Sequence, residues 1–191
     1  MTEAILLAAG YSSRTSDFKL LTEIGNIPVI QHALMSLSAI CDRIYVVLGY
    51  RADELKIYVE DFPKAQIVIN EKYDKGMFSS VKAGAEHIRA ERFFVLPADT
   101  PFVSIKTYWA LLAQQAKVVV PIYNGIKGHP VLLDYEIAGK IKDADEQHTL
   151  RDILRQYKAE IVEVNDPFIV KDIDTDEDIR SIRADIERID R

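Results

Sequence analysis

Cysteine is nearly absent: Cys41 is the only one in 191 residues. A single thiol excludes a disulfide framework and a cysteine-built zinc cluster, and Cys41 is expected to pack at the end of the first helix. An excess of basic residues is missing too. The formal net charge is −6, which argues against nucleic acid as a partner, since non-specific binding needs a basic face. It also means that a polyphosphate ligand must be met by local cations or by metal. Long apolar runs are lacking. The run at residues 5–9 has no basic stretch before it and is too short for a signal-peptide core or a membrane span. The expectation is a soluble cytoplasmic protein without a membrane partner. Internal repeats, low-complexity tracts and clean linkers are also missing. With 48% hydrophobic residues, the chain reads as one folded domain over residues 1–191.

What is present is organised around residues 4–19, AILLAAGYSSRTSDFK. The run Ile5, Leu6, Leu7, Ala8, Ala9 has the length of a buried strand. It breaks at Gly10 into small and hydroxylic residues, Ser12 and Ser13, with the cations Arg14 and Lys19 beyond them. Small residues after a buried strand leave several N–H groups pointing one way, which suits a phosphate chain. The cations add the charge that those groups lack. Neither common nucleotide loop fits. The dinucleotide fingerprint needs two further glycines, and the P-loop needs a second glycine followed by Lys and Ser or Thr. An ordinary Gly/Ser turn is the competing reading, but such a turn has no use for two spaced cations.

Downstream, strand-like and helix-like stretches alternate, the pattern of a parallel sheet covered by helices. Strands are expected at 43–48, 65–69, 92–96 and 116–121. Helices are expected from Pro28 to about residue 40, at about 52–59, after Ser80 and at about 104–115. Past residue 121 the rhythm changes: residues 123–130 are turn-rich, and 131–133 is too short for another full unit. Two short helical patterns, a strand-like 160–164 and a helix from about 176 to 188 follow. The expected fold is three-layer α/β/α, Rossmann-like and mostly parallel. A nucleotide half covers about 1–121, and 122–191 forms an elaboration over one end of the sheet. Ligands of such sheets sit outside the carboxyl ends of the strands, so the loops after the first, third and fourth strands should converge.

Asp99 follows an apolar strand directly in Leu96-Pro97-Ala98-Asp99-Thr100-Pro101. A carboxylate there suits Mg²⁺, which takes oxygen ligands and keeps bonds to substrate phosphates; capping of the helix near Ser104 is the alternative. In the acidic run 172–178, Thr175 with Asp178 reads as a capping box. Asp172 and Asp174 flank Ile173 and could share one side of an extended segment; spacing does not choose between them. Ser79 and Ser80 open a helix after Gly76, either as ordinary N-caps or as contacts to a base, ribose or phosphate.

Together these residues resemble the molybdenum-cofactor nucleotidyltransferases of the MobA-like NTP transferase superfamily, the cytidylyltransferase branch more than the guanylyltransferase one. Leu7-Ala8-Ala9-Gly10, Ser12, Arg14 and Lys19 look like the family's signature loop. Asn70 with Gly76-Met77, Ser79-Ser80 and Ala83-Gly84 matches its second motif. Asp99 and Pro101 look like its metal-binding Asp-Gln-Pro, Gly128-His129-Pro130 like its acceptor-side loop, and residues 172–175 like its C-terminal signature. Three places depart: Thr15-Ser16 follows Arg14 where Met-Gly is usual, Thr100 replaces glutamine, and residues 145–151 replace a Gly-Asp-x-Gly-Ala-Arg stretch on the side expected to hold the acceptor.

The resemblance implies transfer of a nucleoside monophosphate from a triphosphate, CTP on the strength of Ala9, to a phosphorylated small molecule, molybdopterin cofactor. Pyrophosphate is released. It implies Arg14, Lys19 and Asp99 as catalytic residues and Mg²⁺ on Asp99 and Asp174. Leu7, Ala8, Ala9, Gly10, Ser12, Ser13, Asn70, Ser79, Ser80, Pro97 and Ala98 would line the nucleotide, and Gly128 and His129 the acceptor. A molybdoenzyme or its chaperone is the onward partner this implies. A sugar-phosphate or polyol-phosphate acceptor and a non-catalytic nucleotide-binding module are the competing readings.

Overall fold

The computed structural model describes residues 1–11 and 18–189, without the side chains of 176, 184 and 186–189. The chain opens with strand β1 (Thr2–Ala8), then the small hairpin β2 (Glu23–Ile24) and β3 (Ile27–Pro28), and helix α1 (Val29–Ile40). Three strand–helix units follow: β4 (Arg43–Leu48) with α2 (Ala52–Glu60), β5 (Ala65–Ile69) with α3 (Met77–Ala85), and β6 (Arg92–Pro97) with α4 (Ile105–Leu112). The remainder runs β7 (Val118–Tyr123), β8 (Ile126–Lys127), β9 (Val131–Asp134), α5 (Tyr135–Asp143), α6 (Leu150–Leu154), β10 (Glu160–Glu163) and α7 (Asp176–Ile189).

One mostly parallel sheet has the order β10-β7-β9-β6-β1-β4-β5, with β8 hooked onto β7. Strand β1 lies between β4 and β6, parallel to both. A strand covered on both faces can be apolar at every position, which is why residues 4–8 read as an unbroken run. Ala4, Leu6 and Ala8 pack toward Leu34 and Leu37 of α1, Leu55 of α2, Tyr108 of α4, and Ile179 and Ile182 of α7. Ile5 faces the opposite layer, with Val81 of α3, Ile137 of α5 and Ile153 of α6. Each such fully buried aliphatic side chain contributes roughly 1.5–3 kcal/mol. Gly84 is needed in that layer, because a Cβ there would lie 2.5 Å from Ile5 Cγ2. Cys41 is buried just past α1, as expected, and burial pushes its thiol up to about 12.

The expected three-layer α/β/α architecture is present, with one correction. The C-terminal third does not sit over one end of the sheet but completes it. The apolar triplet at 131–133 is the start of β9, which inserts antiparallel between β6 and β7, and β10 adds a parallel edge strand beyond β7. A strand clamped on both sides needs only a few buried residues, and Val131, Leu132 and Leu133 are all buried. Pro28 is also displaced by one step: it pairs in the small hairpin and stands before α1 rather than inside it. The chain runs outward from β1 to β4 and β5, then returns to β6 on β1's other side. That reversal opens a crevice at the carboxyl ends of β1 and β6.

Candidate active site

The crevice holds a cavity of about 360 Å³ lined by Leu7, Ala8, Ala9, Gly10, Lys19, Ser80, Pro97 and Asp99, among others. Its floor is the end of β1 and the turn after it. Ser12, Ser13 and Arg14 lie outside the described residues. Lys19 opens a short 3-10 turn, Lys19–Leu21, seated by the buried Phe18 and Leu20. Its ammonium donates to Asp99 Oδ2 at 2.7 Å and to Asp174 Oδ1 at 3.0 Å. Burial works against the Lys19 charge, but the Asp99 and Asp174 carboxylates outweigh it and hold its pKa above the ordinary lysine value.

Two backbone contacts bring these carboxylates together from distant parts of the chain. Ala98 N donates to Leu7 O at 3.0 Å, tying the end of β6 to β1, and Ile173 N donates to Asp99 O at 2.8 Å. Ile173 is fully buried, so its flanking aspartates have fixed places. Asp172 Oδ1 accepts from the Thr100 hydroxyl at 2.9 Å, whereas Asp174 turns to Lys19. The geometry thus separates the pair that spacing left open. It also gives Thr100, the residue in place of the usual glutamine, a structural task. Asp99 does not cap α4, because Ser104 does so itself. The capping box at Thr175 and Asp178 is present, with Asp178 accepting from Thr175 N at 2.7 Å and Thr175 Oγ1 accepting from Asp178 N at 3.2 Å.

A divalent ion fits this donor set. The Lys19 ammonium already places positive charge within hydrogen-bond distance of both carboxylates. Among the described residues there is no cluster of three or more metal-ligating side chains, so a bound ion would draw further oxygens from substrate or water, as Mg²⁺ commonly does.

The loop after β5 both lines the site, through Tyr73, Asp74 and Gly76, and braces it through Asn70. Asn70 is buried; its Nδ2 donates to Ser79 Oγ at 2.8 Å and Ser80 Oγ at 3.0 Å, and its Oδ1 accepts from Lys72 N at 2.9 Å. Neither serine is the N-cap of α3, which Gly76 occupies. Of the expected nucleotide contacts here, Ser80 reaches the cavity wall, while Asn70 and Ser79 are spent on each other. Asn70→Ala would remove the partner of Ser80 Oγ and of Lys72 N, while Ser79 Oγ keeps its bonds to Lys72 O and Gly76 O. Unfolding in urea is expected to show a loss of about 2 kcal/mol at unchanged m.

Aromatic residues frame the other end of the cavity, and sequence reading missed them. Tyr11 and Tyr73 line it, with ring centroids 5.5 Å apart, and Tyr50 lies 5.0 Å from Tyr11 and 5.9 Å from Phe18. The available signal was Gly49: a Cβ there would lie 2.6 Å from Tyr73 Cβ and 2.9 Å from Ala9 Cβ. Only glycine admits both neighbours.

Gly128 and His129 stand on the side of the carboxylates that faces β7 and the 3-10 turn Pro167–Val170. Gly128 N donates to Pro121 O at 2.9 Å and His129 N to Ile169 O at 2.8 Å. His129 Nδ1 is buried with no hydrogen-bond partner among the described residues. Burial lowers the His129 pKa, with Asp172 and Asp99 opposing it. The divergent stretch 145–151 lies elsewhere: Glu146 pairs with Lys72 at 2.6 Å, Lys82 Nζ donates to Ala144 O, and Thr149 caps α6 with Asp152. It leans on the α3 side.

Comparison with known proteins gives consistent matches. A family model described as the MobA-like NTP transferase domain matches residues 4–161. The molybdenum cofactor cytidylyltransferase of Escherichia coli is 28% identical over 92% of this chain and 92% of its own. A probable molybdenum cofactor guanylyltransferase of Bacillus cereus is 31% identical over 69% of this chain and 66% of its own. Among solved structures, a nucleotidyl transferase from Methanothermobacter thermautotroptrophicus superposes with a TM-score of 0.84 at 21% identity, covering 99% of each chain.

Proposed function

The chain belongs to the family of MobA-like NTP transferase domains, and on that premise we propose that it transfers cytidine monophosphate from CTP to molybdopterin cofactor. The observation that carries this reading is the meeting of Lys19, Asp99 and Asp174 beside a cavity floored by the turn after β1. A module that only binds nucleotides has no need for two convergent carboxylates there. Cytidine is favoured over guanosine by Ala9, which lines the cavity where the guanylyltransferase branch tends to carry glycine. The E. coli cytidylyltransferase matches 92% of the chain, against 69% and 85% for two Bacillus guanylyltransferases.

In the reaction, the triphosphate lies along the segment 10–19. An oxygen of the acceptor's phosphate monoester attacks the α-phosphorus in line; the bond to the bridging oxygen of the β-phosphate breaks, and pyrophosphate leaves. A monoester with a second pKa of about 6 is largely dianionic at neutral pH, so no general base is required. Catalysis is positioning and charge stabilisation. Lys19 and Arg14 balance the charge growing on the leaving pyrophosphate. Asp99 and Asp174 would hold Mg²⁺, which supplies Lewis-acid stabilisation of phosphate oxygens when bound.

The chain divides the labour: residues 1–121 hold the nucleotide, and residues 122–191 bring Gly128 and His129 to the acceptor. His129 is half-buried and would offer the acceptor the accessible part of its ring, while its Nδ1 is buried without a hydrogen-bond partner among the described residues. The reading places the enzyme in the cytoplasm, with its product passed to a molybdoenzyme or its chaperone. His129→Ala is expected to lower acceptor kcat/KM by about ten- to a hundred-fold, the worth of one hydrogen bond to a charged group, and to leave triphosphate binding nearly unchanged. Lys19→Ala should weaken triphosphate binding first. Measuring both constants for both variants tests the division; equal loss of triphosphate affinity in the two would contradict it.

A further inference from the structure

Lys19 occupies the place of a cation between the two carboxylates. Its ammonium lies 2.7 Å from Asp99 Oδ2 and 3.0 Å from Asp174 Oδ1, and its side chain is 15% exposed. The contact is built in rather than casual. Leu21 N donates to Phe18 O at 2.8 Å and Thr22 N to Lys19 O at 3.2 Å, closing the turn that carries the lysine. Ile173 N on Asp99 O fixes the carboxylates opposite it. Two carboxylates this close repel each other unless a cation lies between them, and an ammonium is a compact point charge suited to that place.

We propose that Lys19 is the resident counter-cation of Asp99 and Asp174 in the nucleotide-free protein, so that divalent metal enters only as Lys19 is drawn off to a triphosphate. This deepens the function proposed above and rests on its reading of the two aspartates as a metal pair. A metal ion on Asp99 Oδ2 and Asp174 Oδ1 would share both oxygens with the ammonium, and the two cations exclude each other. Lys19 trades its two carboxylates for phosphate oxygens when nucleotide arrives, and the vacated oxygens accept the ion. Metal binding is thereby coupled to triphosphate binding. In the absence of substrate the protein fills its carboxylate pair with metal only weakly.

The test uses the full chain and Mn²⁺ as the probe. Binding is followed without nucleotide by loss of the electron paramagnetic resonance signal of aqueous Mn²⁺. Wild type should bind weakly, Lys19→Met at least about tenfold more tightly because the competing charge is gone, and Lys19→Arg as weakly as wild type. In wild type, acetylation of Lys19 by acetic anhydride, read by mass spectrometry, should accelerate severalfold at saturating Mn²⁺. Lys19→Met binding no tighter than wild type, or an unchanged Lys19 acetylation rate with metal bound, would overturn the proposal. The labelling arm needs no variant and stands if Lys19→Met does not fold. If wild type binds Mn²⁺ with CTP present yet neither expected change is seen, the counter-cation role alone fails. If no variant binds Mn²⁺ even with CTP, the metal-pair reading fails with it.

Discussion

Asp99→Asn is expected to lower turnover by roughly a hundred- to a thousand-fold, the effect of removing about 3–4 kcal/mol of transition-state stabilisation. An amide is a poorer partner than a carboxylate both for a divalent ion and for the Lys19 ammonium. The fold should be largely indifferent. What joins β6 to the C-terminal signature is the Asp99 carbonyl, which accepts from Ile173 N at 2.8 Å and which asparagine keeps. Only a partly exposed ion pair is lost, and such pairs contribute at most about 1 kcal/mol. Steady-state pyrophosphate release together with a thermal melt checks both halves. Wild-type turnover in Asp99→Asn would remove Asp99 from the reaction.

Gly128→Ala should act in the opposite way, on stability first. A Cβ at this position would stand 2.2 Å from Ile169 O and 2.7 Å from its carbonyl carbon. Both obstacles are backbone, so no flexible side chain can give way. The backbone must separate, straining the bonds from Gly128 N to Pro121 O and from His129 N to Ile169 O. Overpacking of this kind costs about 3 kcal/mol, which in a domain of this size lowers Tm by roughly 6–12 °C. Calorimetry of wild type and Gly128→Ala measures it directly. His129→Ala, which adds no atoms, should not show this loss. The contrast separates the glycine's packing task from the histidine's binding task.

The legible parts of this molecule were those with a repeated physical signature. The apolar runs of β1, β4 and β6 announced themselves because strands covered on both faces can be apolar at successive positions. Asp99 stood out because a carboxylate just past such a run has no partner close in sequence to explain it, and in the structure Lys19 donates to it. The different surroundings of Asp172 and Asp174 are visible only in three dimensions: Thr100 donates to Asp172, a contact between residues far apart in sequence, while Lys19 donates to Asp174. β9 was too short to carry a period, and its burial comes from β6 and β7 on either side. Asn70 and Ser79 carried a signal whose visible part in the structure is a mutual hydrogen bond. Their side chains satisfy one another behind the cavity, a structural role that a polar motif beside a nucleotide loop does not distinguish from contact. The tyrosines at 11, 50 and 73 escaped because they belong to three separate loops. They meet only where Gly49 lets the chain pass close to Tyr73.

Pyrophosphate release, measured with CTP, GTP, UTP and ATP against molybdopterin cofactor, a sugar phosphate, a polyol phosphate and no acceptor, tests nucleotidyl transfer most directly. The expected result is release from CTP that requires molybdopterin cofactor and a divalent metal, is lost in Asp99→Asn and proceeds without acid–base help from His129. Binding of triphosphates without release from any of them, whatever the acceptor, would contradict an enzyme and leave a nucleotide-binding module in its place.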